Sequence, residues 1–409
     1  MFDEGYYASL GLADVREKVL SGRRLSFDDG LSLFNCPDVT AVGALALHVR
    51  TRMHGDAASY VVNRQVNYTN VCVNGCAFCA FRRDDEKDDG AFTLSKEQIL
   101  TRIAEARQGS LDLDELHIVG GCHPKLRLAW FEDLFRSVKA MAPNLPIKAF
   151  TPVEIEHFSR LEGITTVEVL TRLKDCGLVM MPGGGAEIFD EALRRELCPH
   201  KAGSAAWLRI SGEAHALGIR TNCTMLFGHV ETFAQRVDHL CRLREQQDRS
   251  GGFTCFIPLP FLQEHSRLVL PAEKRGPCHG VDRLRTIAVA RLMLDNIPHI
   301  KAYWVMLGTK LAQAALWYGA DDIDGTIVEE HIGHMAGAAS SQALGIEQLE
   351  EMIRKSGFTP VRRNAVFTPM EKGAPAAPTP FTHAHSPFNE PAGIARAVEK
   401  ARGGERLDR

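Results

Sequence analysis

Hydrophobic residues follow two alternating patterns between about residues 61 and 326. Short runs rich in β-branched and aromatic residues alternate with stretches in which apolar residues recur at helical spacing. This alternation predicts repeated strand–helix units and therefore a parallel sheet. The predicted strands cover residues 61–69, 115–121, 146–151, 178–183, 220–227, 253–261, 299–304 and 316–320.

The stretches between these strands carry signals of crossover helices. Ser95 and Gln98 have the spacing of a capping box, and Gly177 and Gly218 each stand where a left-handed residue would end a helix before a strand. One helix is indicated by apolar residues on a single stripe: Phe131, Leu134, Phe135 and Val138. Eight strands fit an α/β fold of the TIM-type (β/α)8 barrel, and the short interval 304–316 leaves a partial barrel as the alternative.

The segments on either side of the barrel differ from it in pattern. Residues 1–60 predict an N-terminal helical cap, residues 61–326 the barrel, and residues 327–364 further C-terminal helices. From residue 365 to 409 the chain is rich in proline and in small and polar residues. Such a composition buries too little apolar surface to fold alone, so we expect a flexible tail there.

Composition and charge exclude several classes of protein. Of 409 residues, 45% are hydrophobic and 24% charged, which is typical of a globular chain and not of a disordered or fibrous one. The net charge of -3 provides no overall attraction to nucleic acid or anionic membranes. The N-terminal segment lacks the pattern of a signal peptide, and no apolar run is long enough to span a membrane. We therefore expect a cytoplasmic protein, whose 11 cysteines serve as thiols or metal ligands.

Three cysteines stand close together directly after the first predicted strand. Residues 72–79 read CVNGCAFC, which gives Cys72, Cys76 and Cys79 the spacing Cys-x3-Cys-x2-Cys. Structural zinc usually takes four ligands from two pairs, and an electron-transfer [4Fe-4S] cluster takes four cysteines. Both remain alternatives. Three thiolates on a [4Fe-4S] cluster instead leave one iron open to the amino and carboxylate groups of S-adenosylmethionine, and we favour this reading.

This motif and further runs resemble the radical S-adenosylmethionine superfamily, here abbreviated radical SAM. Within it, the chain is similar to the branch that contains the aminofutalosine synthases, the cyclic dehypoxanthine futalosine synthases and the F420-precursor synthases. The resemblance covers about residues 30–364. It is carried by HIVGGCHP (117–124), KAFT (148–151), PGGGAEIF (182–189), TMLFGHVET (224–232), FIPLPF (256–261) and HIKAYW (299–304).

The resemblance implies a specific reaction. Cys72, Cys76 and Cys79 would hold a [4Fe-4S] cluster, and S-adenosylmethionine would be a co-substrate. The 5′-deoxyadenosyl radical would add to the vinyl group of 3-[(1-carboxyvinyl)oxy]benzoate, giving 6-amino-6-deoxyfutalosine, methionine and bicarbonate in menaquinone biosynthesis. A partner such as flavodoxin or ferredoxin would donate the electron. A dehypoxanthine futalosine cyclase, or another hydrogen-abstracting relative, is the alternative.

The resemblance also suggests cofactor contacts at the ends of the predicted strands. Phe78 would lie beside the adenine, Gly120 and Gly121 near the methionine amino group, and Gly184 and Glu187 near the ribose. The alternatives are simple packing for Phe78, a tight turn for the glycines and a helix cap for Glu187. Three further candidates would line the barrel or else fill its core: Asn222, Thr224 and Pro258.

The implied substrate carries two carboxylates, so the pocket needs local cations. Arg82, Lys148 and Lys301 are the candidates for substrate binding. His123 and His229 titrate near neutrality and are the candidates for proton transfer. A structural partnership with a carbonyl or a carboxylate is the alternative for each. Three acidic residues are expected in the last strand–helix loop: Asp321, Asp322 and Asp324.

Overall fold

The strands of the central sheet follow one another in chain order, as the alternating pattern predicts. The computed structural model describes residues 2–108, 113–270 and 278–370. Strands β2 to β8 form a seven-stranded sheet in the order β2-β3-β4-β5-β6-β7-β8, and every pairing is parallel. The strands are β1 Ala57–Val61, β2 Asn63–Val66, β3 Glu115–Ile118, β4 Ile147–Ala149, β5 Leu178–Met181, β6 Arg220–Phe227, β7 Phe253–Pro260, β8 His299–Ile300, β9 Asp322–Gly325 and β10 Thr359–Arg363.

A second sheet, in the order β10-β1-β9, connects the two edges of the first. β1 leads into β2 across Val62, and β9 pairs with β1 in parallel. On its other side β9 meets the end of β8, where Ala302 N donates a 2.7 Å hydrogen bond to Asp322 O. The sheet therefore curls into a partial barrel, which confirms the predicted α/β class.

The strand predicted at 316–320 is wrong. Leu316–Tyr318 forms a 3-10 helix, and the strand that follows β8 is β9. β10 lies within the segment 327–364, which predicted helices only. Both strands carry charged residues that are buried by pairing with each other, such as Arg363 Nε with Asp322 Oδ2 at 2.6 Å. Buried charges give such strands a polar sequence, so hydrophobic patterning did not reveal them.

Helices cover the outside of the curled sheet, and several predicted signals are confirmed. Ser95 and Gln98 cap α5 reciprocally, and the left-handed glycines Gly177 (φ 106°) and Gly218 (φ 77°) follow the ends of α8 and α10. The predicted apolar stripe of α6 is buried. The helices are α1 Glu4–Ser9, α2 Ala13–Ser21, α3 Phe27–Asn35, α4 Val39–His54, α5 Lys96–Gln108, α6 Leu128–Met141, α7 Pro152–Glu162, α8 Thr166–Asp175, α9 Glu191–Leu197, α10 Ser204–Ala216, α11 Phe233–Ser250, α12 Gly280–Met293, α13 Trp304–Leu307, α14 Thr309–Ala315, α15 Ile332–Met335 and α16 Ile346–Lys355.

The segments at the two ends of the described chain lie against the barrel. α4 packs along α12, and the guanidinium of Arg50 in α4 is buried against backbone carbonyls, including that of Gly55. After β10, the ring of Phe367 stacks on His299 with centroids 4.2 Å apart. Of the tail predicted at residues 365–409, residues 371–409 lie outside the described residues. Among the described helices, none has the length and apolarity needed to cross a membrane.

Candidate active site

A cavity of about 310 Å³ lies at the carboxyl ends of the barrel strands. In parallel α/β sheets this edge is where ligands bind, because the loops that follow the strands can carry functional groups there. The Cys72–Cys79 loop lines the cavity together with residues from β2, β3, β4, β6, β7 and β9. The cavity is therefore the place where the sequence-predicted chemistry can be tested residue by residue.

Cys72, Cys76 and Cys79 all line this cavity. Their loop is fixed by backbone hydrogen bonds: Cys72 N donates to Arg83 O at 2.9 Å, and Ala77 N donates to Leu197 O at 2.8 Å. The loop thus presents three thiols to one space, as a metal cluster with one open site requires.

Two further cysteines contact the motif from distant parts of the chain. The Cys122 thiol hydrogen-bonds to Cys72 and lowers the pKa of Cys72 to about 6. The Cys198 thiolate accepts a hydrogen bond from Cys76, and this bond raises the pKa of Cys76 well above its ordinary value. Each additional cysteine contacts a different member of the motif.

A largely buried cation lies beside the thiols. Lys201 Nζ is 2.5 Å from Glu187 Oε1 and 5.4 Å from the ring centroid of Phe78. Burial opposes the charge of Lys201, but Cys76 and Glu187 keep the pKa of its ammonium well above the ordinary value. Glu187 itself adopts a left-handed backbone conformation, with φ at 50°. A permanent positive charge at this point stabilises thiolates.

Packing requires glycine at some of the strand-end positions around the cavity. A Cβ on Gly121 would lie 2.3 Å from Val71 O, and one on Gly183 would lie 2.2 Å from Asn222 O. A Cβ on Gly184 would meet only Thr151 Cγ2, at 3.0 Å. Close backbone approach therefore explains Gly121 and Gly183 on its own, while Gly184 has more space towards the cavity that it lines.

Glu154 at the start of α7 fixes the cavity wall. Its Oε1 accepts hydrogen bonds from the Tyr68 hydroxyl at 2.9 Å and from Gly120 N at 3.1 Å. Its Oε2 accepts from Thr151 N at 2.7 Å. Burial raises the pKa of this carboxyl to about 7 in spite of these donors.

Polar side chains on the strands form the floor of the cavity. Gln65, His117 and Lys148 occupy one register row across β2, β3 and β4. Lys148 Nζ is 3.1 Å from Glu115 Oε1 in a fully buried ion pair. Burial, with Lys148 nearby, lowers the pKa of His117 to about 3, so its imidazole is neutral.

Most of the predicted site residues come together around this cavity. Outside the cysteine motif, the following line it: Phe78, Arg82, Gly120, Gly121, Lys148, Gly184, Glu187, Asn222 and Thr224. Arg82 forms an ion pair with Asp84, and the Thr224 hydroxyl donates to Gly183 O at 2.7 Å. The roles of these residues remain predictions.

The two predicted proton-transfer histidines do not line the cavity. In His123, Nδ1 accepts from Lys125 N at 3.1 Å and Nε2 lies 3.1 Å from Glu86 Oε1. In His229, Nδ1 accepts from Val230 N at 2.8 Å and Nε2 donates to Leu226 O at 3.0 Å. Both rings thus have structural partners at both nitrogens. A structural role was the alternative to proton transfer for these histidines.

Pro258 and Lys301 are also outside the cavity lining. On β7 the neighbours of Pro258, Ile257 and Leu259, line the cavity instead, because side chains alternate between the two faces of a strand. Lys301 is fully buried, with Nζ 3.2 Å from Asp322 Oδ1 and 2.9 Å from Asp324 Oδ1. Lys301 therefore forms ion pairs that join the end of β8 to β9.

Several lining residues were missed in the sequence. Strand alternation could have revealed Gln65 and His117, because both lie one residue before the last residue of their strands and share a face. No local signal pointed to Lys201 or Cys198, which reach the site only through the fold. Other lining residues that were not predicted include Glu154, Tyr303 and Glu330. Asp324, expected in the last strand–helix loop, lies in β9 and lines the cavity.

Comparison with family models places these features in a known class. Residues 66–242 match the radical SAM superfamily, and residues 250–375 match the CofH/MqnC C-terminal region. Among solved structures, methylornithine synthase (PylB) has a TM-score of 0.68 at 18% identity, covering 85% of this chain and 97% of that one. The hydrogenase maturase HydG from Carboxydothermus hydrogenoformans has a TM-score of 0.69 at 16% identity, covering 88% and 82%. These two similarities concern the fold alone.

Curated relatives are much closer in sequence. Aminodeoxyfutalosine synthase of Thermus thermophilus is 44% identical over 356 residues, covering 87% of this chain and 95% of the relative. The same enzyme of Streptomyces coelicolor is 42% identical over 364 residues, covering 87% and 92%. A 5-amino-6-(D-ribitylamino)uracil–L-tyrosine 4-hydroxyphenyl transferase of Methanopyrus kandleri is 39% identical over 327 residues, covering 80% and 88%.

These findings define a radical SAM enzyme, a class that uses a [4Fe-4S] cluster and S-adenosylmethionine. More narrowly, the chain belongs to the family of the aminodeoxyfutalosine synthases. The residues present fit the cluster: three thiols face one cavity, and the buried ammonium of Lys201 offsets the negative charge of thiolates.

Proposed function

We propose that this protein adds the 5′-deoxyadenosyl group of S-adenosylmethionine to 3-[(1-carboxyvinyl)oxy]benzoate and forms 6-amino-6-deoxyfutalosine in menaquinone biosynthesis. In this reaction the aryl group migrates, the enol carboxylate is lost as carbon dioxide, which water converts to bicarbonate, and methionine is released. One observation supports it most: a single cavity has the Cys72, Cys76 and Cys79 thiols on one side and polar strand residues on its floor. The 44% identity to a synthase of this name agrees with the proposal.

The chain's own residues contribute binding and enclosure. When bound, the cluster supplies the electron that cleaves S-adenosylmethionine. Cys72, Cys76 and Cys79 would hold the cluster, and Lys201 balances their charge. Ile257, Leu259 and Phe261 line the cavity and give it an apolar wall.

The test is an anaerobic assay with the reconstituted protein, dithionite, S-adenosylmethionine and 3-[(1-carboxyvinyl)oxy]benzoate, read by mass spectrometry. We expect adenosine joined covalently to the aromatic product, with methionine released. Free 5′-deoxyadenosine with unchanged benzoate would contradict the proposal and favour a hydrogen-abstracting relative such as the dehypoxanthine futalosine cyclase.

We propose further that flavodoxin or ferredoxin reduces the cluster and that the protein works in the cytoplasm. All 11 cysteines are free thiols, which is typical of a reducing compartment. Reduced flavodoxin should replace dithionite in the assay. Failure of both flavodoxin and ferredoxin to support turnover would contradict this choice of partner.

A further inference from the structure

Two polar side chains on the cavity floor each have a nitrogen without a hydrogen-bond partner within the described part of the chain. Asn222 is fully buried, and His117 lies deep in the barrel. Asn222 Nδ2 and His117 Nε2 are not exposed to solvent, and neither atom forms a hydrogen bond. Gln65, which is 5% exposed, lies beside His117 in the register of β2 and β3. All three line the cavity. Buried polar groups without partners are rare, and their clustering in one cavity points to a ligand.

The arrangement around these groups favours hydrogen-bond donation. Thr254 Oγ1 donates to Asn222 Oδ1 at 3.0 Å, which leaves the NH2 group of Asn222 for the cavity. The neutral imidazole of His117 donates when its proton is on Nε2.

Lys148 adds a further donor to the same row, although its charge is already paired with Glu115. Its ammonium has three N–H donors, and Glu115 accepts two of them, at 3.1 and 3.2 Å. The third remains for a ligand. A planar anion with two oxygen acceptors matches these donors, which line one cavity from β3, β4 and β6.

We infer that Gln65, His117, Lys148 and Asn222 form a carboxylate-binding floor that holds the ring carboxylate of the benzoate substrate. This inference rests on the proposed function and specifies how the substrate lies in the cavity. The vinyl group must reach the cofactor, and the cysteine loop and Gly120 follow the strand ends. The ring carboxylate is at the opposite end of the substrate from the vinyl group, so it extends to the strand residues of the floor.

The test measures binding without turnover. The reconstituted protein is kept anaerobic without reductant, and equilibrium dialysis gives Kd values for two ligands. One is 3-[(1-carboxyvinyl)oxy]benzoate, and the other is 2-phenoxyprop-2-enoate, which lacks only the ring carboxylate. Removing the ring carboxylate should weaken binding to the wild-type protein by about 100-fold, the effect of leaving buried donors unpaired.

Variants of the floor residues then test whether these side chains cause the difference between the two Kd values. His117→Leu should weaken binding of the benzoate by roughly 10- to 100-fold and leave the phenoxy analogue within about twofold. His117→Gln, which keeps a donor, should recover part of the loss. Asn222→Asp, nearly equal in shape, places a second carboxylate on the floor and should weaken only the benzoate. His215→Leu is the matched control, because His215 is on α10 and does not line the cavity.

Each outcome bears on a different claim. Equal weakening of both ligands by His117→Leu, or equal Kd values in the wild-type protein, would overturn the inference even if the wild type makes 6-amino-6-deoxyfutalosine. Discrimination through His117 and Asn222 in a protein that makes a different product would support the carboxylate floor and overturn the proposed function. Mass spectrometry of the product tests the proposed function, and the ratio of the Kd values for the two ligands tests the carboxylate floor. A failure of one is therefore distinguishable from a failure of the other.

Discussion

The Tyr68 hydroxyl donates a 2.9 Å hydrogen bond to Glu154, and the same carboxylate oxygen accepts from the backbone N–H of Gly120 at 3.1 Å. Tyr68 follows β2, Gly120 follows β3, and Glu154 begins the helix after β4. One buried carboxylate therefore ties together the ends of three consecutive strands at the cavity wall.

Replacing Glu154 with glutamine should destabilise the protein. A glutamine NH2 group would face either Tyr68 and Gly120 or the donors of Thr151, and some buried donors would lose their acceptor. We expect a loss of about 2 kcal/mol in the free energy of unfolding, measured by denaturant titration. Glu156→Gln is the control, because Glu156 pairs with the exposed Arg160. Equal stability of the two variants would show that the Glu154 contacts contribute nothing.

Cysteine variants should separate cluster ligands from their neighbours. Cys72→Ala should abolish the iron–sulfur absorbance, because the cluster loses one of three ligands. Cys122→Ala and Cys198→Ala should retain about four irons per chain after anaerobic reconstitution. Cys255→Ala, buried away from the cavity, controls for general effects of thiol loss. Loss of the cluster in Cys198→Ala would instead indicate a four-cysteine electron-transfer centre.

Lys201→Gln should lower the reduction potential of the cluster. A nearby positive charge stabilises the more negative, reduced form, so its removal makes reduction harder. The potential is measured by redox titration followed with electron paramagnetic resonance. Lys174→Gln, an exposed lysine in α8, provides the comparison. An unchanged potential in Lys201→Gln would rule out electrostatic tuning of the cluster by this residue.

His123→Gln should leave the pH profile of kcat unchanged. Both nitrogens of His123 have structural partners and the ring does not line the cavity, so no proton transfer to substrate depends on it. The profile is recorded from pH 5.5 to 8.5, a range chosen to span the usual pKa of about 6.5 for histidine. Disappearance of an acidic limb in the variant would restore His123 as an acid–base candidate.

His215 should make stability fall as the solution becomes acidic. Burial lowers the pKa of His215 to about 4, against 6.5 for a free histidine, so between these values the unfolded chain binds more protons than the folded one. The free energy of unfolding therefore falls as pH decreases from 6.5 to 4, by up to about 3 kcal/mol from this group. His215→Gln should show a correspondingly shallower pH dependence in thermal unfolding. Identical slopes for the variant and the wild type would contradict this.

Sequence patterning predicted the strand–helix alternation and the cysteine loop because both are local signals. Where buried charges replace apolar residues, as with Asp322 against Arg363, the pattern no longer marks a strand, and β9 and β10 were missed. Pro258 was predicted on the wrong face of β7; its neighbours Ile257 and Leu259 line the cavity instead. Lys201 and Cys198 come to the site through tertiary packing, so no spacing in the sequence could reveal them.

The pairing of β1 has a consequence for the order in which the chain folds. Ser59 in β1 hydrogen-bonds to Asp322, 263 residues later, and Thr359 hydrogen-bonds to Asp56, 303 residues earlier. Such distant contacts carry a large loop-closure entropy and form slowly. During synthesis the first strand of the barrel emerges from the ribosome long before either of its partners. Its edges stay open until the C-terminal strands arrive, which makes this seam the last part of the barrel to close.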